Sequence, residues 1–280
     1  TGDLKKLRYL VDEKKIPVDS KDWTGKTALY YAARKNQGPA IFFLLKRGAD
    51  ATQAFEASVL NGHYRRASAL KGRVDPNVKG SNGYNVLRQA IAGKYATAVK
   101  YLLSLPKIDV NLRDKAGRTP LEFAIAMQNL EIVKLLLSHP KMDPNQRSEG
   151  SEFAPLLYAI YYGYEEIAKA IASHPKTDIA YKLPDGRTAI QMAVYGRLYG
   201  LVRMLLDKPG IDVNVGGGDG GWTPLHIATG HQQVEVVQWL LDAGADPQLK
   251  TQSGQTSIDI AMTTRNIKIL FLLLTARLFK

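Results

Sequence analysis

The chain has 280 residues, no cysteine and a formal charge of +12, which excludes disulfides, thiolate metal sites and cysteine nucleophiles. Its apolar content of 45% and mean hydropathy of −0.20 are ordinary for a soluble protein, and no stretch approaches the roughly 18 uninterrupted apolar residues of a membrane span. The charge is lopsided: residues 1–150 hold 26 Lys and Arg against 14 Asp and Glu, whereas residues 151–280 hold 12 of each. Such a field steers acidic proteins or nucleic acid onto the first part, or serves only solubility.

In chain order, residues 1–20 lack the apolar core of a signal peptide. They read as the second helix of an incomplete repeat, with Leu4, Leu7, Leu10 and Val11 on one face, and suggest a piece of a longer protein with further domains. Residues 21–50 form a full helix pair closed by Arg47-Gly48-Ala49-Asp50. Residues 51–80 keep Asn61-Gly62-His63 between their helices and Asp75-Pro76-Asn77 at the end, yet run several residues short, which predicts a compressed hairpin tip. This segment carries Arg65, Arg66, Lys71, Arg73 and Lys79, either a solvated face or a basic contact surface. The next four repeats, 81–113, 114–148, 149–182 and 183–217, leave through SLPKIDVN, SHPKMDPN, SHPKTDIA and DKPGIDVN. His139 and His174 lie in these turns without the partners a metal shell needs. The run Gly216 to Gly221 lacks the strand and the Lys-Ser/Thr of a phosphate loop, so it is expected to be a flexible tip able to close over a groove. Residues 218–250 and 251–280 complete the series, the last segment more apolar than a solvent-facing end.

The repeat at 218–250 is the clearest. Thr223 offers a hydroxyl to free helix amides, Pro224 fits the first helical position, and Val236, Val237, Leu240 and Leu241 recur at helical spacing. Gly244 then ends the second helix. With Leu225 as marker, equivalents fall at Leu29, Phe55, Leu87, Leu121, Leu156, Ile190 and Ile258, in steps of 26, 32, 34, 35, 34, 35 and 33 residues. One helix pair cannot bury both its faces, so the array predicts a single all-α solenoid over 1–280.

The segments GKTALYYA, GRTPLEFA, GRTAIQMA, GWTPLHIA and GQTSIDIA resemble the ankyrin repeat, whose signature is T-P-L-H-x-A with a period of about 33. The Pro-containing exits are similar to a turn found in long ankyrin arrays of fungi and other eukaryotes. The resemblance covers nearly the whole chain. It implies stacked helix pairs with hairpin tips, and a protein-binding scaffold whose tips and first helices form a concave groove.

By offset from the marker, the resemblance places candidate binding residues in that groove. Three positions before it lie Lys26, Tyr84, Arg118, Phe153, Arg187, Trp222 and Gln255, alternating aromatic and Arg from Tyr84 to Trp222. Tyr, Trp and Arg are the side chains enriched at binding hot spots. Arg88 and Glu122 follow the marker by one, and Tyr161, Tyr162 and Tyr195 by five or six. Arg88, Arg118 and Arg187 would meet carboxylates of an extended or acidic partner segment, while the rings bury its apolar side chains. Glu122 would face the groove, paired with Arg118 or Arg88 or free for a ligand or for general acid/base work. His226 stands where the family has its T-P-L-H histidine, a structural position. No catalytic residue, metal site or cofactor is assigned. The reading is an intracellular, cytoplasmic protein-interaction module. Its alternatives are a small-molecule or acid/base site in the central groove and nucleic-acid binding by the basic first part, the latter marked by steep salt dependence.

Overall fold

The computed structural model describes residues 3–80 and 83–278. Residues 1, 2, 279 and 280, at the ends of the first and last predicted repeats, lie outside the described residues. Backbone contacts divide the chain into two compact halves, one up to Met142 and one from Asp143. Among the described residues all regular structure is helical, apart from isolated bridges at hairpin tips such as Lys182 with Thr188 and Lys250 with Thr256.

The first half begins with α1 (Leu4–Arg8), prolonged by a π-turn over Tyr9–Glu13. Four helix pairs follow: α2 (Ala28–Arg34) with α3 (Gly38–Lys46), α4 (Thr52–Leu60) with α5 (Tyr64–Leu70), α6 (Val86–Ala92) with α7 (Ala96–Leu103), and α8 (Pro120–Ala126) with α9 (Leu130–Leu137). First helices pack on first helices, α2 on α4, α4 on α6 and α6 on α8, while α7 packs on α9. The second half repeats the scheme with α10 (Pro155–Tyr161) and α11 (Glu165–Ala172), α12 (Ala189–Tyr195) and α13 (Tyr199–Leu206), α14 (Pro224–Gly230) and α15 (Val234–Asp242), and α16 (Ser257–Thr263) and α17 (Ile267–Leu278). The short second repeat saves its residues at the tip, since α4 starts at Thr52 directly after the Ala49-Asp50 turn.

Local chemistry sets each start. Thr27, Asn85, Thr119, Thr223 and Thr256 accept a backbone N–H from the third helical residue, a cap whose loss costs about 1 kcal/mol. Behind four of these caps the marker residue and the alanine three positions on are buried together, as with Leu87 and Ala90, Leu121 and Ala124, Leu225 and Ala228, while behind Thr256 the marker Ile258 is half-buried. The alanine keeps the first helices thin enough to approach their neighbours. Several second helices bury a Val and a Leu, among them Val99 with Leu102, Val133 with Leu136 and Val237 with Leu240, all fully inaccessible. Each such side chain contributes about 1.5–3 kcal/mol of burial.

The exits from the second helices are tied by asparagine. In the first half Asn77 donates to the Lys107 carbonyl and accepts from Asp109 N–H, and Asn111 donates to Lys141. In the second half Asn145 donates to Lys176 and accepts from Asp178 N–H, and Asn214 reaches Gly244 and Asp246 in the same way. Position 180, where the next asparagine would fall, is Ala180, whose own N–H is already turned onto Asp178 like that of the asparagines. Ala180→Asn should therefore add the missing pair of bonds and raise stability by about 1 kcal/mol in urea unfolding; a neutral or destabilising change would show that the ladder adds nothing.

His226 is fully buried, accepts Thr223 N–H at Nδ1 (3.1 Å) and donates from Nε2 to the Leu249 carbonyl (3.0 Å). Burial holds its pKa below the ordinary value, against the opposing pull of the carbonyls of Leu249 and Gln255. The unfolded chain thus takes up the proton first, so the stability this group contributes is complete above about pH 6.5 and is lost as pH falls below it. Gln191 fills the same role in the Thr188 cap, accepting from both the N–H and the hydroxyl of Thr188. His226→Gln should accordingly fold and lose less melting temperature than wild type between pH 7 and pH 5; equal losses would place the titrating group elsewhere.

Candidate functional site

The predicted site residues fall in both halves of the chain, one group in each. In the first half Asp114, buried at the tip before α8, organises the group. Its carboxylate accepts from the N–H groups of Ala116 (2.8 Å) and Arg118 (3.1 Å) and pairs with Arg88 Nε (3.1 Å) and an Arg118 terminal nitrogen (3.3 Å). The Arg88 guanidinium also lies over two rings, 4.6 Å from the centroid of Tyr84 and 3.3 Å from that of Phe123, with Arg118 5.0 Å from Phe123. Both arginines are thus held by a carboxylate of their own chain. Glu122 is buried, its backbone N–H capped by Thr119. Asp114 escaped the sequence reading, although its place three residues before the tip Gly117 was a visible cue.

Another aromatic of this half also went unread. Trp23 at the first tip is 96% exposed, six residues before its marker where the repeats at 114–148 and 251–280 carry Lys115 and Gln252. Near it Lys26 sits 4.5 Å from the Tyr30 ring centroid, and Tyr30 meets Tyr31 edge to face at 5.3 Å.

In the second half the aromatic residues do come together. Phe153 contacts Tyr161 (5.1 Å between centroids), Tyr161 meets Tyr162 edge to face, and Tyr162 touches Tyr158 and Tyr164. Tyr161, Tyr162 and Tyr195 are 59%, 51% and 67% exposed. Tyr161 and Tyr195 border a depression of about 470 Å³ between α10, α12 and α14, into which Arg187, Met192 and Ile227 also project. Tyr195 and Ile227 belong as well to a neighbouring hollow of about 300 Å³ beneath the glycine-rich tip, with Trp222 and His231. Arg187 Nε is bound to Asp185 (2.6 Å), and burial, which would raise the Asp185 pKa, is outweighed by the Arg187 N–H and side chain, leaving it lowered. The offset rule had not singled out Met192 or Ile227, because both lie two positions after their markers Ile190 and Leu225, an offset the rows did not follow.

The glycine run is packed between its neighbours. Gly218 N–H donates to the Asp185 carbonyl, Gln252 N–H donates to the Gly220 carbonyl, and Gly217 bridges Trp222. A Cβ on Gly217 would lie 2.5 Å from the Gly186 carbonyl group, and one on Gly216 would lie 2.6 Å from the Gly221 oxygen. A Cβ on Gly220 would strike the Trp222 indole, whose far edge lies 3.2 Å from the Cβ site of Gly230. Close backbone approach and a seat for one tryptophan therefore account for these glycines, in place of the mobile flap expected from composition.

This geometry agrees with two family profiles, one for the ankyrin repeat, matching residues 24–54, 185–217 and 220–252, and one for three ankyrin repeats in series, matching residues 55–148. The chain belongs to the ankyrin repeat family. An ankyrin repeat domain from Acinetobacter baumannii AYE, solved as a crystal structure, is 30% identical and aligns with a TM-score of 0.60 over 68% of this chain and 97% of that one. Among curated proteins, rat ankyrin repeat and SAM domain-containing protein 6 is 37% identical over 78 residues, 28% of this chain and 9% of that protein. Human 2-5A-dependent ribonuclease is 39% identical over 69 residues, 25% of this chain and 9% of that one. The matched stretches thus span about a tenth of these two relatives. Ankyrin repeats generally mediate protein–protein interaction. No described helix of this ankyrin array is long and apolar enough to cross a membrane, and the described residues hold no cluster of three or more His, Asp or Glu able to bind a metal.

Proposed function

We propose that this ankyrin array is an interaction module that binds an extended partner segment through α10, α12 and α14, with Tyr161 and Tyr195 as anchors. The observation that supports this most is the pair Tyr161 and Tyr195, each more than half exposed, bordering a depression lined also by Met192 and Ile227. Exposed rings beside a flexible thioether suit burial of apolar side chains from a partner. Arg187 keeps Nε on Asp185, and its guanidinium would supply the remaining N–H groups to a backbone carbonyl or a carboxylate of the bound segment. Phe153, Tyr162 and Trp222 extend this surface at either side. Tyr84, Arg88, Arg118 and Glu122 serve chiefly the Asp114 tip and its surroundings, so partner contacts in the first half fall to Trp23, Tyr30 and Tyr31.

The test is selection of peptide ligands from a displayed library on the wild-type chain, followed by affinity measurement on Tyr161→Ala/Tyr195→Ala. Binding should weaken at least about tenfold, the usual scale for removing two anchors, with melting unchanged. Equal affinity for the variant would remove this surface as the binding site.

A further inference from the structure

The second repeat differs from its neighbours in one further respect. From its last core leucine to its turn asparagine, Leu70 to Asn77, the chain advances seven residues, whereas Leu102 to Asn111 and Leu136 to Asn145 each take nine. The third repeat uses the extra residues to bury Leu105 and place Pro106 at its exit. The second repeat has no counterpart of that pair, and a hollow of about 200 Å³ opens there, beside buried Phe55 and bordered by Val74, Leu105 and Pro106. Gly72 lies at its edge, and a Cβ built on it meets nothing within 4 Å.

The other lining residues are buried Pro76 and two exposed lysines, Lys71 and Lys107. The carboxylates adjoining in sequence are already engaged: Asp75 accepts from the N–H and side-chain amide of Asn77 (both 2.9 Å), and Asp109 from Asn111 N–H (2.9 Å). An apolar hollow with two lysines and no lining acid is complementary to a small amphipathic anion. The tyrosines of the second half take no part in it.

We propose that this hollow binds a group with an apolar body and a terminal carboxylate, the body against Phe55 and Leu105 and the carboxylate at Lys71 and Lys107. Two sources share this chemistry, a free aryl or alkyl carboxylic acid and the C-terminal apolar residue of a peptide. Both are tested by calorimetry and ligand-observed NMR on the 280-residue chain. The probes are 4-phenylbutyrate, an acetylated tripeptide ending in a free phenylalanine carboxylate, and the amide of each. Saturable 1:1 binding with a dissociation constant on the order of 1 mM is expected for one or both acids, the scale for a dozen heavy atoms in a shallow site, and the preferred probe identifies the source. Lys71→Gln and Lys107→Gln should each weaken it about threefold, as loss of an exposed ion pair does. Gly72→Leu, at an ordinary φ with open space around it, should abolish it. The proposal is overturned if neither acid binds saturably up to about 10 mM, if the amides bind as well as the acids, or if all three variants bind like wild type.

Discussion

Replacing Asp114 with alanine should destabilise the chain by about 3 kcal/mol, the scale for removing one partner of a buried ion pair. The carboxylate is 3% exposed and pairs with Arg88, itself 13% exposed, so alanine would strand that guanidinium between Tyr84 and Phe123. Two backbone N–H groups of the tip would also lose their acceptor. Asp114→Asn keeps an oxygen for those N–H groups and should cost less than alanine. Burial by itself would raise the Asp114 pKa, but the N–H groups of Arg118 and Ala116 and the Arg88 side chain outweigh it and hold the pKa below the ordinary value. A carboxylate held down in the folded state contributes stability above the unfolded pKa of about 4 and loses it as pH falls below that value. Urea unfolding should therefore show the full gap between wild type and Asp114→Ala at pH 7 and a smaller gap at pH 3. A gap under about 1 kcal/mol at pH 7, the value for an exposed pair, would mean that Asp114 is not the centre of this group.

Gly217→Ala is the second large effect, expected to cost about 2–3 kcal/mol by overpacking. The added methyl would press on the Gly186 carbonyl and Arg187 N (2.5 and 2.7 Å), backbone atoms that cannot rotate away as a side chain could. The damage should appear as faster amide exchange at Gly218, whose N–H donates to Asp185, while α16 and α17 keep their protection. Gly72→Ala is the matched control, since its methyl meets nothing within 4 Å. Equal stabilities for the two variants would return the glycine run to the role of a loose flap.

The architecture was legible because most first helices start on a local code, a Thr or Asn cap, a marker Leu or Ile and an alanine three residues on, although Ala51 and Ala154 stand at the cap positions of α4 and α10. These features act within a single turn of helix and recur at an almost constant step. The candidate site was legible only in part. Offset from the marker identified Tyr161, Tyr195 and Arg187, which do border one depression, because residues at equal offsets in stacked repeats share a face. Offset could not tell an arginine facing outward from one held by a tip carboxylate of its own or the next repeat. Arg88, Arg118 and Arg187 are drawn to Asp114 and Asp185, residues near the turn whose carboxylates were not weighed as partners. The glycine run was misread for a related reason: composition reports freedom of the unfolded chain, whereas Gly217 is needed for how closely two backbones pass in the folded one. Trp23 lay at a tip position with no aromatic counterparts and so fell outside the row that was followed.

The most direct measurement of the central claim is tyrosine footprinting by nitration and mass spectrometry, with and without a saturating selected peptide. Tyr161, Tyr162 and Tyr195 should react readily in the free chain and become protected in the complex, with Tyr9 and Tyr95, each half exposed, unaffected. Protection confined to Tyr9 or Tyr95, with Tyr161 and Tyr195 reacting as in the free chain, would contradict it.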